Sequence, residues 1–128
     1  MRLQRIHHVA VICADYAVSK RFYTETLGLT VVREVHRTER DSYKLDLALP
    51  DGAQIELFSF PTPPPRPNAP EAQGLRHLAF AVDDLDAAVR ELVAKGVAVE
   101  PVRFDVHTER RYTFFKDPDD LPLELYEL

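Results

Sequence analysis

The sequence lacks several features that would point to an oxidising or membrane environment. Cys13 is the only cysteine among the 128 residues, so no disulfide can form within the chain. No apolar stretch approaches the roughly 18 residues that a membrane-spanning helix requires, and residues 1–8 have no signal-peptide core. These absences predict a cytoplasmic protein with no membrane partner, in which Cys13 is a small buried apolar residue.

Clusters of positive charge are also missing. The 16 Lys and Arg residues are spread along the chain, and the formal net charge is −5. Nucleic-acid binding requires a basic face that matches the phosphates, so nucleic acid is not an expected partner. The length fits one compact domain, and the hydrophobic content of 45% is sufficient for one core.

An internal repeat organises the chain. Residues 7–16 align with residues 76–85, which pairs His8 with His77. Residues 50–57 align with residues 118–125 and pair Glu56 with Glu124, at a spacing one residue shorter. One insertion or deletion in a loop accounts for the difference. The sequence therefore predicts two related modules.

A proline-rich segment separates the two modules. Residues 60–70 contain six of the ten prolines, and such a run cannot pair in a sheet. It favours an extended, semi-rigid connector, with a peptide for proline-recognising proteins as the alternative. The predicted organisation is one domain over residues 1–128, with module 1 at 1–60, a linker at 61–74 and module 2 at 75–128.

Each module is predicted to contain one helix near its beginning. In the second module, apolar residues recur at helical spacing at Leu85, Ala88, Val89, Leu92 and Val93. An Asp83 or Asp84 cap precedes this run and Gly96 closes it. In the first module Asp15 and Gly28 bracket a similar segment with fewer apolar positions.

The remaining segments favour strands. They lie near residues 8–13, 30–36, 43–49 and 53–60 in the first module, and near 77–82, 97–103, 111–116 and 121–127 in the second. The predicted class is α+β, with two pseudo-repeated βαβββ modules that pair through a concave face. Asp51-Gly52 indicates a hairpin turn, whereas its counterpart Asp119-Asp120 has no glycine and would adopt a left-handed turn at some cost.

Four polar side chains are predicted to face away from the helices. His8 alternates with Val9 and Val11, and Glu56, His77 and Glu124 alternate with apolar neighbours in the same way. A carboxylate on an apolar strand is costly to bury unless something neutralises it. A lone strand histidine is more often a structural residue, but the duplication places all four in register. We therefore predict one divalent cation bound by these four side chains.

Other polar residues are weaker candidates. His7 has the opposite parity, and His36 and His107 fall near strand ends, so surface roles are expected for all three. Residues 37–41, which include Arg37 and Arg40, form a charged turn that is expected to be solvated, or to act as a mobile loop over a substrate.

These motifs together resemble the vicinal oxygen chelate superfamily, and within it glyoxalase I and its small bacterial relatives. The resemblance covers nearly the whole chain and rests on residues 8–11, Phe22-Tyr23, Leu27-Gly28, 55–57, 75–80, 115–119 and 123–125. It implies the glyoxalase/dihydroxybiphenyl dioxygenase-like fold, which bleomycin resistance proteins share.

The resemblance also implies a site and a reaction. The glyoxalase I order of ligands is His, Glu, His, Glu, which His8, Glu56, His77 and Glu124 fill, around nickel, cobalt or zinc with nickel favoured. Two open positions on the metal would chelate a 2-oxoaldehyde hemithioacetal, as in a lactoylglutathione lyase. Glu124 is the expected base, with Glu56 the second candidate. A homodimer is expected, with each site built from one chain or from two.

Two positions depart from the glyoxalase I pattern. The arginine four residues after the first ligand is Ile12 here, and the asparagine four after the second is Phe60. The expected substrate pocket is therefore more apolar, lined by Ile12, Phe58, Phe60 and Ala79, and glutathione specificity is open. The alternatives are an epimerase or other proton-transfer enzyme on a different thioester or hydroxyacid, and a non-catalytic protein that sequesters a small molecule.

Overall fold

Eight strands and two α-helices follow one another in the predicted repeat. The computed structural model describes residues 1–128. The first half contains β1 (His8–Cys13), α1 (Tyr16–Arg21), β2 (Thr30–Arg37), β3 (Ser42–Ala48) and β4 (Gln54–Ser59). The second half contains β5 (Leu78–Val82), α2 (Leu85–Ala94), β6 (Arg103–Asp105), β7 (Arg110–Lys116) and β8 (Pro122–Glu127). The α+β class with two βαβββ modules is confirmed.

The chain divides into two units, Met1–Pro65 and Arg66–Leu128, each with one four-stranded sheet. The strand orders are β1-β4-β3-β2 and β5-β8-β7-β6. In both sheets the first strand runs parallel to the last, and the other pairs are antiparallel. The register repeats as well, because Ala10 lies opposite Glu56 and Ala79 lies opposite Glu124.

Aspartate caps begin both helices, as the sequence predicts. The Val18 amide donates to Asp15 at 3.1 Å, and the Ala87 amide donates to Asp84 at 2.9 Å. After α1 the chain continues as a π-helical turn over Phe22–Thr26. Neither helix is long and apolar enough to cross a membrane.

The core of the first unit lies on one face of its sheet. The buried side chains of this face are Val11, Cys13, Leu45, Leu47, Ile55 and Leu57, and Tyr23 adds a buried ring. They alternate with the polar positions of the same strands, because successive side chains of a strand point to opposite faces. Burial of each large apolar side chain contributes about 1.5–3 kcal/mol. The predicted burial of Cys13 is confirmed.

The second unit has an equivalent core, in which α2 packs on β8. Its buried apolar side chains are Leu85, Leu92, Phe115, Leu121, Leu123 and Leu125. Val93 belongs to the predicted apolar face of the helix, but 57% of it is exposed. Its place in the helical pattern therefore did not predict burial, because the contact with the sheet is centred on Leu85 and Leu92.

Polar contacts tie the first helix to its sheet. The ring of Tyr16 stacks on Tyr43 at 4.3 Å, and its hydroxyl donates to Glu34, which also accepts from Lys20 at 2.7 Å. Burial, followed by the bond to Glu34, raises the pKa of Tyr16. The bonds from Lys20 and Tyr16 lower the pKa of Glu34.

Arg111 has the same role in the second unit. Its guanidinium donates to Glu127 at 2.8 Å and to Asp86 of α2 at 3.2 Å. Glu127 also accepts from the Leu85 amide at 3.2 Å. The bond from Arg111, followed by that from Leu85, lowers the pKa of Glu127 to about 2.

One predicted strand is shorter than expected. Residues 97–102 are irregular and β6 covers Arg103–Asp105, so the strand predicted at 97–103 is largely wrong. Pro101 has no amide hydrogen to donate and interrupts the pairing. The segment still follows β7, because the Glu100 amide donates to the Phe114 carbonyl at 2.9 Å.

The turn before the last strand behaves as the sequence predicts. Gly52 has φ of +89°, and its counterpart Asp120 has φ of +63°. Asp120 thus adopts the left-handed conformation that glycine adopts more readily.

No strand forms between Phe60 and His77. The latter part of this proline-rich segment is bonded within the second unit. The Arg66 guanidinium donates to the Leu75 carbonyl at 3.1 Å, and the Asn68 amide donates to the Asp120 carbonyl at 2.7 Å.

Candidate functional site

The first imidazole–carboxylate pair lies on the polar face of the first sheet. His8 begins β1 and Glu56 lies within β4. His8 Nε2 is 3.6 Å from Glu56 Oε2, which is longer than a hydrogen bond, and the side chains are 41% and 15% exposed. The two atoms therefore do not bond to each other, and both are of a type that can ligate a cation.

The ring of His7 contacts the ring of His8. His7 Nδ1 lies 2.9 Å from His8 Nδ1, with the two rings edge to face. This contact engages Nδ1 of His8 and leaves Nε2 toward Glu56, as the outer partner of a ligating histidine does. Strand parity assigned His7 a surface role, and it missed that the ring reaches its neighbour.

The second pair repeats the first in the other sheet. His77 Nε2 is 2.9 Å from Glu124 Oε2, and the side chains are 31% and 11% exposed. The Phe114 ring meets the His77 ring edge to face at 5.1 Å. Since Ala79 lies opposite Glu124, His77 has the place in its strand register that His8 has in the first sheet.

Nitrogen and carboxylate donors of this kind suit zinc, nickel or cobalt, so each pair fits a metal chemically. Each pair nevertheless supplies two donors. No group of three or more His, Cys, Asp and Glu side chains lies in an arrangement that could hold a metal ion. The structure thus brings the predicted ligands together as two pairs, and their union in one site stays a prediction.

A charged cluster that the sequence analysis missed surrounds Glu56. Lys44 Nζ lies 3.2 Å from Glu56 and 2.8 Å from Asp46, and Arg33 Nη2 lies 3.0 Å from Asp46. Burial raises the pKa of Asp46, but the bonds from Lys44 and Arg33 outweigh it, and the pKa is lower than usual. Bonding to Asp46 in turn raises the pKa of Lys44.

Alternation along β3 is the signal that could have found this cluster. Lys44 and Asp46 alternate with the buried Leu45 and Leu47, which places them on the face of Glu56. In the second unit the equivalent residues are Tyr112 and Phe114, which lie opposite Tyr126 and Glu124. The charged cluster is therefore not repeated, and aromatic rings occupy its place.

Arg37 ends β2 on the same face. Its guanidinium carbon lies 5.0 Å from the centroid of the Phe58 ring and 5.9 Å from that of Phe60. Its Nη2 donates to Ser42 Oγ at 2.9 Å, while Nε is buried and has no hydrogen-bond partner. The prediction of a solvated turn is wrong for Arg37, because two aromatic rings cover it, whereas residues 38–41 are exposed.

The predicted pocket residues divide between the two units. Ile12 is 54% exposed and lies opposite Phe58, and the rings of Phe58 and Phe60 stack at 6.2 Å. Ala79 is exposed in the second sheet, beside Glu124. An apolar surface next to Glu56 is therefore present, and its use as a substrate pocket stays a prediction.

The other two histidines are exposed. His36 lies 3.5 Å from Asp41, and the amide of His107 donates to Asp105 within a turn.

Comparison with known proteins identifies a family. Residues 5–125 match the family model of the Glyoxalase/Bleomycin resistance protein/Dioxygenase superfamily. The "Uncharacterized protein YwkD" of Bacillus subtilis is 60% identical, over 99% of this chain and 99% of that protein. The crystal structure of SMU.1112c superposes with a TM-score of 0.94 at 47% identity, covering 98% of this chain and 100% of the other.

More distant relatives have names that state an activity. A "Probable lactoylglutathione lyase" of Vibrio cholerae is 30% identical, over 99% of this chain and 93% of that protein. A 2-epi-5-epi-valiolone epimerase of Actinomyces is 29% identical, over 96% of this chain and 79% of that enzyme.

Proposed function

Because the chain belongs to the Glyoxalase/Bleomycin resistance protein/Dioxygenase superfamily, we propose that it is a metal-dependent enzyme that moves a proton next to a carbonyl group. The observation that carries the proposal is the repetition of one imidazole–carboxylate pair at the same register in two sheets. A shared cation needs more donors than one pair supplies, and the duplication provides the second pair at the place of the first.

The proposed ligands are His8, Glu56, His77 and Glu124. Two donors are fewer than protein sites use for zinc or related metals, so both pairs are needed for one ion. Nickel, cobalt and zinc all suit this donor set. When bound, the metal would polarise the carbonyl of a substrate that reaches it through neighbouring oxygens.

Glu124 is the proposed base. Its side chain is 11% exposed and pairs with His77, whereas Glu56 is also paired with Lys44 at 3.2 Å. The pairing with Lys44 restrains Glu56, which leaves Glu124 the freer carboxylate to take a proton from the carbon beside the carbonyl and return it. Glu56 is the second candidate for this role.

The leading substrate is the hemithioacetal of a 2-oxoaldehyde, which would make the enzyme a lyase of the glyoxalase I type. The second candidate is epimerisation of another thioester or of a hydroxyacid. The specific observation in its favour is the exposed Ile12 next to Phe58 and Phe60, because Ile12 and Phe60 replace the arginine and the asparagine of the glyoxalase I pattern.

Proton exchange tests the shared chemistry before the substrate is known. The enzyme, loaded in turn with nickel, cobalt or zinc, is incubated in D2O with the methylglyoxal–glutathione hemithioacetal and with an acyl-CoA thioester, and deuterium uptake is measured by NMR. We expect exchange with one of these substrates, and formation of lactoylglutathione identifies the lyase.

Metal analysis separates the enzyme from a protein that only sequesters a ligand. We expect about one metal ion per four-ligand site in the wild type, a lower content in Glu56→Gln, and no proton exchange in Glu124→Gln. Glu91→Gln is the matched control, because Glu91 forms a surface pair with Lys95. Metal binding without proton exchange, whichever of the three metals is loaded, would contradict the enzyme proposal.

A homodimer is part of the same proposal. Sedimentation velocity is expected to give twice the chain mass of 14.6 kDa, and a particle of one chain mass would contradict it.

A further inference from the structure

We propose that Arg37 binds an anionic oxygen group of the substrate, a carboxylate or a phosphate, and thereby favours substrates that have such a group near the reacting carbon. The guanidinium contacts a hydroxyl and two aromatic rings, and none of these groups neutralises its charge. Its Nε is buried without a hydrogen-bond partner. A half-buried, uncompensated cation is costly unless a ligand supplies the missing anion.

The charges of the surrounding face lead to the same conclusion. Arg33 and Lys44 are paired with Asp46 and Glu56, so these carboxylates are already matched by two other cations. Arg37 therefore leaves this face with an excess of positive charge. Arginine suits the role, because its planar fork donates two parallel hydrogen bonds to a carboxylate or a phosphate.

The position of Arg37 fixes where the anion would bind. Arg37 covers Phe58, and Phe58 lies two residues beyond Glu56 on β4. Such residues lie about 7 Å apart on one face of a strand, so an anion at Arg37 would lie on the same face as Glu56 and one strand repeat away from it. The inference rests on the proposed function only in placing the reacting carbon near Glu56.

Binding of small probes to metal-free protein tests the proposal without turnover. The protein labelled with nitrogen-15 is treated with a chelator and titrated with L-lactate, with lactamide as the neutral match, and with inorganic phosphate. We expect lactate or phosphate to shift the Arg37 Nε–Hε resonance in a saturable way, and lactamide to leave it unchanged. The tighter of the two anions identifies the substrate group.

Variants assign the effect to one side chain. Arg37→Gln is expected to weaken lactate binding about tenfold or more, because it removes the charge-assisted hydrogen bonds to the carboxylate. Arg40→Gln, in the exposed turn beside it, is expected to bind lactate as the wild type does. The proposal is overturned if lactamide shifts the resonance as lactate does, or if Arg37→Gln binds lactate unchanged. The comparison on wild-type protein needs no variant, so it decides the matter even if Arg37→Gln does not fold.

Metal content and proton exchange on the same preparations keep the two proposals distinguishable. Lactate binding at Arg37 in a protein that binds no metal and exchanges no proton would overturn the proposed function and support the anion site. An enzyme that binds metal and exchanges the proton, but whose Arg37 Nε–Hε resonance is not shifted by lactate, would overturn the anion site alone.

Discussion

Lys44 joins Asp46 to Glu56, with its ammonium 2.8 Å from the first carboxylate and 3.2 Å from the second. Asp46 is 3% exposed, so it depends on its cationic partners, and a buried charge that loses a partner destabilises the fold. Lys44 thereby couples the stability of β3 to the placement of a proposed ligand.

Lys44→Met is expected to lower the free energy of unfolding by about 1–3 kcal/mol, because it leaves a buried carboxylate short of a partner. Urea denaturation at neutral pH measures the change. Lys95→Met removes an exposed lysine that pairs with Glu91, and its effect is expected to stay below about 0.5 kcal/mol. Equal effects of the two substitutions would show that burial of Asp46 does not require Lys44.

Glu127 makes the free energy of unfolding depend on pH in the acidic range. Its pKa falls from the usual 4.5 to about 2, through the bonds from Arg111 and the Leu85 amide. The folded state therefore holds its proton less tightly than the unfolded state, and the stabilisation is fully present above pH 4.5 and is lost as the pH falls toward 2. Glu127→Gln is expected to be less stable than the wild type at pH 7, with the gap closing in this range. Urea titrations at several pH values measure the gap, and one that is constant with pH would contradict the assignment.

Substitutions at Asp120 measure how much a left-handed backbone conformation lowers the free energy of unfolding. Its φ of +63° disfavours any residue with a β-carbon, and its backbone contacts survive a change of side chain. Asp120→Gly is expected to be about 1 kcal/mol more stable than Asp120→Ala. Thermal and urea unfolding of the two variants measure the difference. The same pair of changes at half-buried Asp119, which has no positive φ, is expected to reverse the order.

Substitution of His7 tests whether its contact with His8 matters for metal binding. His7→Ala removes the contact that engages Nδ1 of His8, and loss of such an outer partner weakens metal affinity about 10–100-fold. Competition with a chromophoric chelator measures the affinity. His107→Ala, in an exposed turn, serves as the control, and equal affinities of the two variants would remove His7 from this role.

The sequence was informative where a pattern repeats. The duplication predicted both modules, the Asp15 cap and the alternation that separates Glu56 from Ile55 and Leu57. These features depend on local geometry, and the residues that determine it occur separately in each half of the chain. The close approach within each imidazole–carboxylate pair follows from the same alternation.

Sequence reasoning failed where contacts are not repeated. Lys44 and Asp46 have no charged counterparts in the second half, so the comparison of the halves passed over them. Arg37 looked like part of a polar turn, because covering by Phe58 and Phe60 depends on strands far apart in sequence. Pro101 shortened a strand that the apolar pattern favoured, since its missing amide hydrogen overrides side-chain preference.

That shortening has a consequence for the behaviour of the protein at high concentration. A sheet edge exposes unpaired amide and carbonyl groups, on which a strand of another molecule can assemble. β6 lies at the edge of the second sheet and has three residues. Such a short edge offers an incoming strand little to pair with, and Pro101 thereby protects this side of the sheet against aggregation.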